Sequence, residues 1–152
     1  TKYMLIETLK SLFDRDLNKL CTEIELYRNE ENIWKIDKEI SNSAGNLCLH
    51  LIGNINNFIG AQIGKTNYVR HRELEFSLKN IPTSELLENI KKTKTIVAAS
   101  LDMLTPEDLE KEYPLVVFEN KMTTEYFLIH LATHLTYHLG QINYHRRLLD
   151  LK

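Results

Sequence analysis

Very little interrupts this chain, and that limits its fold more than any other feature. Five glycines and three prolines are spread over 152 residues, so there are few points where a backbone must turn sharply or a helix must break. Long helices are favoured over many short strands. The length is that of one domain, read as residues 1–152, with enough chain to bury a single core.

Apolar spacing fills in the helices. Leu5, Leu9, Leu12, Phe13, Leu17, Leu20 and Ile24 recur with the period of an amphipathic helix over roughly Tyr3 to Tyr27. The polar stretch from Arg28 to Ser43 reads as a connection whose Trp34 and Ile36 close one end of the core. A second helix is expected from Ser43, a capping residue, to about Ile63 near Gly64, with Leu47, Leu51, Ile55, Phe58 and Ile59 on its apolar side. TNYVRHRELEFSLKNIP is read as a loop with a helical turn. Thr83 or Ser84 caps a third helix that carries Leu86, Leu87, Ile90, Ile96, Val97, Leu101 and Leu104. Thr105-Pro106-Glu107-Asp108 has a cap, a first-turn proline and first-turn acids, which predicts a short new helix. YPLVVF is β-branched and reads as extended. The last helix starts at Thr123 or Thr124 and runs almost to the end.

Four long helices predict an all-α four-helix bundle. The two later connections, of about 18 residues each, are long enough to cross the bundle and to carry functional residues.

Composition narrows the function. Lys+Arg is 19 against Asp+Glu 21, so no basic excess points to nucleic acid or to a polybasic membrane contact. No apolar run reaches the roughly 18–20 residues that span a bilayer. The opening TKYMLIETLK lacks the three regions of a signal peptide. Cys21 and Cys48 sit in apolar-periodic stretches and read as buried thiols in a reducing compartment. The expected location is the cytoplasm.

The six histidines are not spread evenly. Three stand in nine residues, in HLATHLTYHLGQ from His130 to Gln141. Residues four apart share one side of a helix, and His130, His134, His138 and His145 fall within an arc of about 80° at the edge of the apolar face. Imidazoles at i and i+4 converge over one turn and can share a metal ion. A pair binds weakly, so a third ligand must come from another helix. His50, in LCLHLIGN among residues expected to be buried, is the best candidate, with Asn54 one turn further on. The plainer reading is a set of hydrogen-bonded core histidines. His145 near the C-terminus suits the helix dipole, and His71 in a charged loop reads as a surface residue. The chain has no HExxH, no Glu-x-x-His of di-iron bundles, no phosphate-binding glycine loop and no cysteine cluster.

His134-Leu-Thr-Tyr-His138-Leu-Gly140-Gln141-Ile142, with Arg146-Arg147-Leu148-Leu149 after it, resembles the last helix of the DinB-like superfamily, the YfiT-type metalloenzyme bundles. Ser43-Ala-Gly-Asn-Leu-Cys-Leu-His50 resembles the second helix of that family, with its single central histidine. The resemblance implies a DinB-like four-helix bundle in which His50, His134 and His138 hold a divalent metal, nickel or zinc, leaving His130 outside. It implies a small-molecule substrate, with low-molecular-weight thiols among the candidates, in a thiol S-transferase, hydrolase or isomerase. It also implies a homodimer. The family often carries an arginine where this chain has Leu139, which is expected to alter a surface or dimer contact. Gly140 fits the pattern, and a mid-helix glycine suggests close approach of another helix.

Three neutral imidazoles leave coordination positions open, the style of a catalytic site. Asn54, Tyr137 and Gln141 are placed to orient ligand rings. Arg70 and Arg72, in the charged loop, are candidates for contacting an anionic substrate, although a solvated loop is the simpler reading. A non-catalytic metal-binding or stress-related interaction module on the same bundle is the alternative function.

Overall fold

The structure, a computed structural model, describes residues 2–151. Among the described residues six α-helices form: α1 Lys2–Glu25, α2 Ala44–Ile55, α3 Arg72–Ser77, α4 Thr83–Asp102, α5 Pro106–Glu110 and α6 Thr124–Leu149. α2 continues as a π-helical stretch, Asn56–Ala61. Four of the helices are long, and they pack as the expected all-α bundle.

The helix starts obey local chemistry. Ser43 and Thr123 cap α2 and α6 by accepting the backbone N–H of Asn46 and Tyr126. Thr105 and Asp108 form a reciprocal capping box at α5. α4 departs from expectation, because neither Thr83 nor Ser84 caps it. The helix begins at Thr83, and the carboxylate of Glu30 receives the Thr83 N–H from across the bundle end.

Side-chain links set the helix directions. Asp16 meets Thr136, and Glu23 meets Asn143 and Arg146, so α1 and α6 run parallel. Lys10 pairs with Asp102 while Lys94 bonds Asn18, so α1 and α4 run antiparallel. His50 faces His134 and His138, and Phe58 faces Phe127, so α2 and α6 are antiparallel. α1 and α2 each pack between α4 and α6. The order is therefore up, down, down, up. α2 and α4 are parallel neighbours, and the chain between them must return the length of the bundle. That return strap, residues 62–82, contains α3.

The apolar stripes read from the sequence build one core, including Leu9, Phe13, Leu17, Leu20, Leu51, Ile55, Leu86, Ile90, Leu131, Leu135 and Ile142. Several details differ. Ile36 is 52% exposed, and Ile33 in the 3-10 turn Glu30–Trp34 fills the core beside Trp34 instead. YPLVVF is not a strand. Tyr113 is buried against Phe127, Leu115 to Phe118 are exposed, and the only pairing there among the described residues is an isolated bridge from Glu112 to Thr123. Leu139 is a buried core residue rather than a surface one. Gly140 has nothing within 4 Å of where a Cβ would stand, so among the described residues no other helix packs against it.

The π-helical stretch follows from Asn56. Its side-chain amide donates to the carbonyl of Ile52 and to the Thr93 hydroxyl, both at 2.8 Å. A side chain that bonds the backbone carbonyl four residues back disturbs the helical ladder, and the next bonds run from Gln62 and Gly64 to carbonyls five residues earlier.

Candidate metal centre

α2 and α6 bring together the three histidines named by the resemblance. His50 Nε2 lies 3.3 Å from His134 Nε2, and His138 Nε2 lies 3.1 Å from the same atom. One ligand atom from each of the three falls within 4.8 Å of the others. Two imidazole nitrogens at ~2.1 Å from one ion stand roughly 3.0–3.4 Å apart, so the spacing suits a divalent cation.

The donor set suits one as well. His50 Nδ1–H donates to Glu75 Oε1 at 3.0 Å, and His138 Nδ1–H donates to Gln141 Oε1 at 2.7 Å. In its neutral form each of these rings turns an unprotonated Nε2 toward His134. One N–H on His134 could answer only one of those lone pairs, whereas a central cation answers all three. Burial foremost, then the neighbouring His138, His50, His130 and Arg70, pushes the pKa of His134 down to about 4. Burial also lowers that of His138, against the bond to Gln141. Both rings are thus neutral at pH 7, the form that ligates metal.

Glu75 gives no signal in the sequence, yet it organises this site. It is 5% exposed on the return strap, and Arg70 grips it with Nε to Oε2 at 2.8 Å and Nη2 to Oε1 at 2.9 Å. Burial alone would raise its pKa, but the bonds from His50 and Arg70 outweigh it and hold the carboxyl below its usual range. The strap is fastened by Asn46, whose side-chain amide donates to the carbonyls of Glu75 and Leu78, both at 2.9 Å. Gly53 makes room, since a Cβ there would fall 1.9 Å from Glu75 Oε2.

The other expected residues are distributed unevenly. Gln141 holds His138, and its amide donates to the exposed Tyr137 hydroxyl at 3.3 Å. Arg70 is at the site, committed to Glu75. Arg72 is exposed, its guanidinium over the Phe76 ring, which in turn lies against His50. Asn54 is buried on α2 one turn after His50, with no hydrogen-bond partner for its Oδ1. His130 packs between Phe118 and Phe127, and it is not part of the ligand group. His71 is exposed. His145 is not a terminal cation but a buried neutral ring. Its Nε2–H donates to the Lys35 carbonyl at 2.8 Å, and its Nδ1 accepts from the Tyr27 hydroxyl at 2.6 Å. Both cysteines are buried and unpaired, and burial pushes both thiols up. Among the described residues no helix is long and apolar enough to cross a membrane.

The profile of the family described as protein of unknown function (DUF1572) matches residues 3–152, and the chain belongs to that family. No curated protein matches it.

Proposed function

We propose that this member of the DUF1572 family is a DinB-like metalloenzyme. A divalent ion, nickel or zinc, is held by His50, His134 and His138. The protein acts in the cytoplasm on a small molecule, as a low-molecular-weight thiol S-transferase or a hydrolase. The observation that carries this reading is the convergence of three Nε2 atoms from two helices, with two of the rings pinned from behind by Glu75 and Gln141. Open positions on an ion held by three imidazoles supply Lewis acidity toward water or a thiol.

The chain's own groups prepare that chemistry. Glu75 takes the His50 Nδ1–H and, through Arg70, stays ionised and fixed. Gln141 does the same for His138 with a neutral carbonyl. The rings of Phe76 and Tyr137 lie 5.1 Å from His50 and 5.2 Å from His138 and flank two of the three histidines. A cleft of about 430 Å³ opens beside His138, bordered by Leu47, Tyr137, Gln141 and Tyr144, and is the substrate site in this reading.

The test is the metal content of protein purified without a histidine tag. Near one equivalent of nickel or zinc is expected, falling to background in His50→Ala and His138→Ala while helical content stays unchanged. Wild-type protein that takes up no metal on reconstitution overturns the proposal. A bound metal with no turnover of thiols or hydrolysable substrates would favour the non-catalytic module instead.

Tyr126, Tyr137, Tyr144 and Leu148, each about 60% exposed, fall on one side of α6 within an arc of about 40°. Such an exposed apolar stripe, with Gly140 along its edge, supports a homodimer formed through α6, which would set the cleft bordered by Tyr137 and Tyr144 at the subunit interface. Tyr144→Glu should convert a dimer to monomer in analytical ultracentrifugation, and an unchanged mass would remove this face from consideration.

A further inference from the structure

His134 is the one ligand whose ring has no anchor. His50 gives its Nδ1–H to Glu75, and His138 gives its own to Gln141. His134 Nδ1 is buried with no hydrogen-bond partner. A ring that ligates through Nε2 carries its proton on Nδ1, and a buried donor left without an acceptor is costly.

One other buried atom has the complementary lack. Asn54 is 7% exposed, and its Oδ1 is buried without a partner. Among the described residues the only other side-chain atom in this state is Trp34 Nε1, whose ring packs on Gly45 at the start of α2. The helix register brings the remaining two to one layer. On α2, His50 faces His134 and His138, while Phe58 faces Phe127. Asn54 is one turn from each, on the same side of the helix, and therefore level with the turn from His130 to His134.

We infer that Asn54 is the positioning residue of His134: its side-chain carbonyl takes the His134 Nδ1–H, directly or across one water molecule, when Nε2 ligates. The inference rests on the metal-centre reading. Each ligand ring then has its own acceptor, drawn from a different element: Glu75 on α3, Gln141 on α6 and Asn54 on α2. An acceptor behind a ligating imidazole fixes its tautomer and strengthens it as a donor, typically by 10–100-fold in metal affinity.

The experiment compares wild type, Asn54→Ala and Asn54→Asp by zinc competition against a chelator. It also uses long-range ¹H–¹⁵N spectra of the histidine rings in the zinc-loaded proteins. The expected result is a roughly 10–100-fold loss of affinity in Asn54→Ala, with the His134 Nδ1–H signal lost to exchange. Asn54→Asp, which keeps an acceptor, should restore both the affinity and the protected signal. Unchanged affinity with an unchanged His134 signal in Asn54→Ala overturns the inference and leaves the metal centre standing. Wild-type protein that binds no zinc overturns both. Where Asn54→Ala does not fold, Asn54→Asp decides: a folded variant with weakened zinc binding overturns the role.

Discussion

Replacing Glu75 with leucine should cost about 3–5 kcal/mol of stability, the usual loss when one partner of a buried ion pair is removed, and should weaken metal binding by about 10–100-fold. The side chains of Arg70 and Glu75 are 14% and 6% exposed, so neither group can simply turn to water. With the carboxylate gone, Arg70 keeps a largely buried charge with no counter-charge, and His50 loses the acceptor that sets its tautomer. Gly53→Ala should reproduce the metal defect without removing any functional group. Its Cβ would fall 1.9 Å from Glu75 Oε2 and 2.6 Å from Cδ, and the carboxylate must leave Arg70 and His50 to relieve that contact. The two changes act through one group, so the double variant should be little worse than Glu75→Leu alone. Urea unfolding and chelator competition measure both quantities. Wild-type metal affinity in Glu75→Leu would show that His50 needs no anchor.

The position of Glu75 explains what the sequence could and could not reveal. The helices that carry the three clustered histidines were legible because their signals are local. Apolar residues at helical spacing, a serine cap before α2, and histidines at i and i+4 each act within one or two turns. The connection between α2 and α4 was also legible as a length: a strap of that size can span a bundle and carry functional groups. What rides on the strap was not legible. In RELEFS the residue turned inward is Glu75, and a carboxylate surrounded by Arg70, Arg72 and Glu73 looks like part of a solvated charged loop. Its burial depends on Asn46, about thirty residues earlier, and on the missing side chain at Gly53. Both are tertiary facts with no local pattern. His145 was misread for the same reason. Its place near a helix C-terminus suggested a cation, but Tyr27 and the Lys35 carbonyl reach it from the other end of the chain. Gly140 marks the opposite limit, since a mid-helix glycine implied a close neighbour and the described residues supply none.

The metal-free protein should be steady in stability above about pH 6.5 and should weaken as pH falls toward 5. The unfolded chain titrates its histidines near 6.5, whereas burial holds His134 down to about 4 and also lowers His138 and His145. Above about 6.5 the rings are neutral in both states and contribute no pH dependence. Below it the unfolded chain takes up protons that the folded chain refuses, so unfolding gains by up to about 1.4 kcal/mol per pH unit for each such proton. The slope flattens for His134 near pH 4, where the folded ring protonates too. At still lower pH the loss continues in the same direction for a different reason. Glu75 is held below the usual carboxylate range, and the stability it contributes is present above the unfolded value and disappears as pH falls through the folded one. The measurement is the urea midpoint of chelator-treated protein at pH 7.5, 6.5, 5.5 and 4.5, for wild type and His134→Gln. The variant should bind about one proton fewer on unfolding and show the shallower decline between pH 6.5 and 4.5. A flat wild-type profile across that window, or an identical slope in the variant, would mean that His134 is not held neutral by burial and that the cluster is more open to water than its packing implies.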